Sequence, residues 1–292
     1  MTDVLQVIAG GLVVGGVYAL IALGMSLIYS ISRVINLAQG AFVVLAALTA
    51  VGLRSALHLN PILLLLVTAL IFGVALAALD VVVIRPGTRR AGSERMLLIT
   101  VGVLQAVGGI LLIFWGNLPY TMKSFSRPAS VTLGGVRLPT QYAWVAGVLV
   151  VSLVALWFLL NRTSLGLTMR ATAQDPQAAA LMGVSVDRVR LVAFSLSGVM
   201  AALAGASIVP LTFLQYDTVV PYAVNGFIAA VIGGLGSMPG AVAGGLLLGL
   251  LEAVFDRYTQ SSTAEILAIG ALILLLLVRP QGLRGRIAEV RR

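Results

Sequence analysis

The chain of 292 residues has no cysteine, one histidine (His58) and one lysine (Lys123), and only 10% of its residues are charged. Each scarcity removes a class of function. Without cysteine there is no disulfide framework, thiolate metal site or cysteine nucleophile. Lys123 lacks the glycine that precedes the lysine of a GxxxxGK[ST] phosphate loop, so the chain carries no ATP site of that kind. Chemistry that needs paired histidines, thiols or a phosphate loop belongs elsewhere. What is abundant is apolar residues, 60% of the total, where a soluble domain has about half. That balance excludes an ordinary cytosolic globule and a disordered chain. It leaves a polytopic membrane protein.

A crossing needs about 20 apolar residues to span roughly 30 Å of hydrocarbon. Runs free of charge cover 4–32, 34–53, 59–79, 96–122, 138–161, 191–216 and 218–251, and 258–278 carries only Glu265. The run 218–251 is too long for one upright helix, and it contains Gly233, Gly234, Gly236, Pro239 and Gly240, which break helices. Splitting it gives an all-α bundle of about eight or nine transmembrane or re-entrant helices in a single domain over 1–292. The start Met1-Thr2-Asp3 has no basic region ahead of an apolar run and reads as the beginning of the first span rather than a removed signal.

The net charge of +9 needs no nucleic acid to explain it. With nine crossings one side receives fourteen of the basic residues, and the other only Arg54, Lys123, Arg127, Arg137 and Arg257. The excess marks the cytoplasm. The expected N-terminus is periplasmic and the C-terminus cytoplasmic. Asp80, Glu252 and Glu265 are the acids in or near apolar runs; none reads as central, and no acidic pair or histidine relay appears. A proton- or sodium-driven carrier usually shows more. The energy source is then expected on another chain.

Two loops are long enough to hold structure. The periplasmic loop, 119–140, places Gly134-Gly135 between β-prone runs at 130–133 and 136–138, which suits a small hairpin. The cytoplasmic loop, 162–190, contains Asp175-Pro176, a capping residue followed by a residue suited to the first helical position. Gln177, Ala178, Ala179, Leu181 and Met182 continue the helix, and Gly183 suits a left-handed end. So short a helix needs a surface to rest on, either the membrane domain or a partner.

The breaks invite two readings. Glycines spaced by four at Gly11 and Gly15, and at Gly245 and Gly249, suit close helix packing. The segment 233–240 interrupts a run at membrane depth, where broken backbone is tolerated only if protein or water satisfies it. Asn36, Gln39 and Gly40 form a second polar break near the start. They read either as part of a solute pathway or as interhelical hydrogen bonding alone.

In combination these segments resemble a known family. Tyr18 to Gly24 runs into Leu27-Ile28-Tyr29, then Arg33 to Gly40; Arg170 to Asp175 precedes Leu181 to Val184 and Asp187 to Val189; Gly233 to Ala241 follows. The pattern, over nearly the whole chain, is similar to the smaller, H-type permease subunit of bacterial ABC importers for branched-chain amino acids. The resemblance implies an inner-membrane permease paired with a second, M-type permease. Two cytoplasmic ATPase subunits would bind ATP and Mg on their own chains, with no cofactor or catalysis on this one, and a periplasmic solute-binding protein would deliver the solute. It assigns 175–183 as the coupling helix, seated in an ATPase. The family's Glu is Gln177 here, which removes a charge and leaves the helix geometry alone. Asn36, Gln39, Gly40, Gly233, Gly234, Gly236, Pro239 and Gly240 become the expected path or gate. A sister importer for urea, short amides or aromatic acids stays open, as does a stand-alone channel or secondary carrier.

Overall fold

A computed structural model of the chain describes residues 2–91, 96–133, 136–258 and 270. Helix α1 (Thr2–Ser32) is about 46 Å long at the usual rise. It is followed by α2 (Gln39–Leu57) and α3 (Pro61–Leu79). Asn60 caps α3 by accepting the Leu63 N–H, with Pro61 at the first position. The helix then runs through a π-turn (Asp80–Ile84) into α4 (Arg85–Ala91). Next come α5 (Met96–Trp115), the strands β1 (Ser130–Leu133) and β2 (Val136–Pro139), and α6 (Gln141–Arg162). Two short helices, α7 (Ser164–Gln174) and α8 (Pro176–Leu181), precede α9 (Val186–Ile208). A 3-10 turn (Tyr216–Thr218) leads into α10 (Val219–Gly233), and α11 (Met238–Tyr258) closes the described bundle.

Among the described residues seven helical stretches are long and apolar enough to cross a membrane: α1, α2, α3 with its continuation, α5, α6, α9 and α11. Helix α10, at 15 residues, is about 22 Å long and short of a full crossing. The long run 218–251 is therefore split, as its glycines and proline predict. Gly234 and Gly236 take the positive φ values that turn the chain between α10 and α11. The span expected at 258–278 lies outside the described residues, apart from positions 258 and 270. Two expected spans shift. The helix from Met96 stops at Trp115, well before 122, and the last span of the middle region starts earlier, at Val186, and ends at Ile208. The chain beyond both turns inward on itself, pairing Tyr120 with Leu214 through two 2.9 Å backbone bonds. The hairpin forms as expected, with Ser130 opposite Pro139 and Leu133 opposite Val136.

Helices α1 and α9 form the centre, and small residues set their neighbours' distance. A side chain at Gly15 would meet the Gly245 carbonyl and Leu246 Cα, both at 2.9 Å, and one at Gly11 would meet Ala253 at 2.8 Å. Helices α1 and α11 thus lie antiparallel with their backbones almost touching, the packing reading of those glycines. Gly198 and Gly205 of α9 do the same against α3 and α2. Outside this centre, Leu66, Leu70 and Val74 of α3, Ile113 and Phe114 of α5, and Val150, Val151 and Val154 of α6 are exposed. Apolar side chains of that size outside the bundle are what hydrocarbon solvates.

The bundle has two ends. The start of α1, the β1–β2 hairpin and the last turn of α11 share the hairpin end. The end of α1, α4, α7 and α8, and the turn between α10 and α11, share the other.

Candidate functional site

Helix α8 is built from local signals. The Asp175 carboxylate accepts from the N–H groups of Gln177 and Ala178 at 2.8 and 3.0 Å, satisfying two of the donors a helix start leaves open. Pro176 follows at the first position. The chain leaves through Gly183 at φ +86°, with Gly183 N–H donating to Ala180. Met182 lies just past the helix, so it is one residue shorter than its sequence suggests. Leu181 and Met182 are 89% and 84% exposed, whereas Ala179 is buried against the chain's own α7 and α9 region. Of the residues expected to meet a partner, Ala179 therefore faces inward and the two large apolar ones face out.

Two links tie this end to the bundle. Arg33, at φ +54° just after α1, reaches the Ala173 carbonyl near the end of α7 at 3.3 Å. Asp80 is wholly buried and meets Arg190 of α9 at 2.7 Å and Arg85 at 3.1 Å. The sequence marked Asp80 only as an acid in or near an apolar run, not central to it. Its second partner, and its full burial, are corrections that only the fold supplies.

The two breaks come together around α10. After Ser32 the chain turns back into the bundle, so Gln39 lies beside Gly24, about 12 Å short of the end of α1. Gly40 packs on Ala223 near the start of α10. Gly240 and Gly233 pack on each other at its far end, and a side chain at Gly236 would meet the Tyr29 ring at 3.5 Å. Pro239 stands in the first turn of α11. Both ends of the Gln39 amide are engaged: it donates to the Ser197 carbonyl at 2.9 Å and accepts from the Ser197 hydroxyl at 2.7 Å. That is interhelical bonding, the plainer of the two readings. Asn36 differs. Its side chain is buried, and neither amide atom has a hydrogen-bond partner in the described structure. Such a group costs about 1–3 kcal/mol.

A third cluster was not legible from the sequence. Tyr18, Asn225 and Glu252 meet at mid-depth: the Asn225 amide donates to Tyr18 Oη at 3.0 Å, and that hydroxyl donates to Glu252 Oε2 at 2.9 Å. The Tyr222 ring stands edge-on to Tyr18 at 6.4 Å. The cluster ends a cavity of about 890 Å³ lined by α1, α6, α10 and α11. Glu252, expected near the end of its span, thus touches the middle of α1.

The comparisons with known proteins match this architecture. The family described as branched-chain amino acid transport system / permease component matches residues 7–278. The chain belongs to that family. The high-affinity branched-chain amino acid transport system permease protein LivH of Salmonella typhimurium is 30% identical, over 97% of this chain and 96% of its own. BraD of Pseudomonas aeruginosa, of the same description, is 31% identical over 97% and 96%. Among solved structures, PsaBC from Streptococcus pneumoniae in complex with Fab matches with a TM-score of 0.52 at 17% identity, covering 93% of this chain and 91% of that one; that likeness concerns the fold. The chain is a multi-pass inner-membrane permease subunit of an ABC importer.

Proposed function

We propose that this permease carries branched-chain or similarly hydrophobic amino acids into the cell, driven by ATP hydrolysed on partner subunits. The observation that carries the reading is the match over nearly the whole chain to LivH and BraD. Around it the geometry supports a division of labour. Helix α8 is the coupling helix: Leu181 and Met182 enter a groove of a cytoplasmic ATPase, and Asp175, Pro176, Gln177, Ala178 and Gly183 hold or border that surface. A six-residue helix with both large side chains in solvent is not stable alone. Two ATPase subunits bind ATP and Mg, an M-type permease completes the path, and a periplasmic binding protein docks at the hairpin end. The excess of arginine in the loops of the α8 end supports a cytoplasmic placement there.

A shift of α8 reaches the first break through α7 and Arg33 to the segment 33–38, and reaches Asp80 after α3 through α9 and Arg190. The segment 33–38, with Asn36, and the turn Gly234 to Ser237 are where the backbone is free to rearrange. They act as the gate, and the unmet amide of Asn36 lies within it.

The test is affinity purification of the tagged permease from its native membrane in mild detergent. A second permease and two ATPases in the complex support the reading. Leu181→Asp with Met182→Asp removes the ATPases while the permease pair stays together. Isolation of the chain by itself, with solute flux through it alone in liposomes, overturns the reading in favour of a channel or secondary carrier.

A further inference from the structure

We propose that the groove between α3 and α6 at the hairpin end of the bundle seats an acyl chain of an anionic phospholipid, with the lipid phosphate held by Lys123 and Arg127. The proposal uses the placement of the chain in a membrane and is independent of the solute it carries.

Helices α3 and α6 both pack on α9, and between them lies a groove of about 790 Å³. That volume is within the usual range for small-molecule sites, about 300–1,000 Å³. Leu65 and Leu66 line one side, Val148 and Val151 the other, and α9 contributes Leu203. Val131 and Leu138 of the hairpin close the end. Leu66 and Val151 are exposed outside the bundle, so the groove opens toward hydrocarbon. Along α6 the lining runs from Tyr142 to Val151, about 14 Å at the helix rise. That is close to half of the roughly 30 Å of hydrocarbon in a bilayer, the depth of one leaflet.

The mouth of the groove is polar. Ser126 and Thr140 line it, and the Trp144 indole N–H donates to the Ser126 hydroxyl at 2.8 Å. An indole with an apolar body and a bonded polar edge suits the headgroup level of a membrane. Two cations adjoin this mouth. Arg127 follows Ser126, and Lys123 precedes Ser124, whose hydroxyl lies 3.3 Å from that of Thr140. Both are exposed, and neither makes a hydrogen bond or ion pair among the described residues. Their neighbours are engaged: Arg54 lies over the Phe125 ring at 5.3 Å, and Arg137 donates to the Ser130 hydroxyl at 2.8 Å. The segment 119–140 contains three basic residues and no acid. Cations at the membrane surface hold anionic headgroups by charge, and the groove below holds an acyl chain by apolar area. An acidic protein would match the cations but leave the groove unfilled.

The test is photolabelling of the permease, purified with its partners and reconstituted in phosphatidylcholine nanodiscs. The probe is phosphatidylglycerol with a diazirine on its acyl chain, added as a minor component. The same diazirine on phosphatidylcholine is the control. Adducts are mapped by mass spectrometry and counted per recovered complex. They are expected to concentrate at 62–66 of α3 and 142–151 of α6, with the phosphatidylglycerol probe labelling about tenfold more than the control. Lys123→Gln with Arg127→Gln should bring the two probes level. Gly147→Trp, which fills open space in the groove, should remove labelling there by both. Labelling spread evenly over the outward faces of α3, α5 and α6 would mean an adventitious shell of lipid only, and overturns the site. So does labelling of those faces with none in the groove, which would mean that protein covers it. If the double variant keeps the preference for phosphatidylglycerol but loses the response of ATP hydrolysis to the loaded binding protein, the cations serve protein docking and the proposal falls.

Discussion

Both carboxylate oxygens of Asp80 are held in a place without solvent: Arg190 takes one at 2.7 Å and Arg85 the other at 3.1 Å, and Arg190 also reaches the Thr88 hydroxyl at 3.2 Å. Removing one member of such a set leaves a buried charge uncompensated, at about 3–5 kcal/mol. Arg190→Met should therefore lower the thermal unfolding midpoint of the purified permease sharply. Asp80→Asn, which keeps one acceptor oxygen and turns an N–H donor toward the other guanidinium, should lower it as well; an unchanged midpoint in both variants would mean that the contacts carry little. At this scale, legibility follows sequence distance. The Asp175 cap and the positive φ of Gly183 were readable because cause and effect sit a few residues apart. The bond from Tyr18 to Glu252 spans 234 positions, and that from Asn225 to Tyr18 spans 207. No local pattern marks such pairs, so Tyr18 entered as part of a motif and Asn225 not at all.

Among the helices, glycine and proline carried most of what could be read. The split of the run 218–251 and the close pairing of α1 with α11 both follow from small residues at stated positions. The pairing makes a sharp prediction. Gly15→Val would drive a branched side chain into the Gly245 carbonyl, an overpacking of about 1–3 kcal/mol or more. Gly109→Val on α5, where the space is open, should leave melting in detergent nearly unchanged; equal effects would refute the backbone contact. Helix α7 was missed for a physical reason. Thr163 caps it by accepting the Gly166 N–H, but a glycine in the first turn lowers helix propensity. That glycine is required because α7 begins against the Leu159 and Leu160 carbonyls at the end of α6.

For the whole molecule the open matter is which way it stands in the membrane. The proposed topology, drawn from the arginine excess, puts the α8 end inside. Because the chain has no cysteine, single introduced thiols report cleanly. Thr132→Cys in the hairpin should react with a membrane-impermeant maleimide on intact spheroplasts. Met182→Cys should react only after the membrane is opened, and the reverse pattern would invert the proposed topology. Composition alone settled the class, since 60% apolar residues admit little else. The path through the molecule was less legible, because the sequence marks where the backbone breaks but not which side chains the breaks bring together.

The antiparallel union of α1 with α11 also sets a timetable for assembly. Helix α1 leaves the ribosome first, and its partner face arrives some 234 residues later. At about 5–20 residues per second that is roughly 12–47 seconds. Through that interval the glycine face of α1 and the Tyr18 hydroxyl lie in the bilayer or the insertion machinery without the residues that finally cover them. The newborn permease is therefore open along the seam where its polar cluster will form, and translation of α11 is the step that closes it.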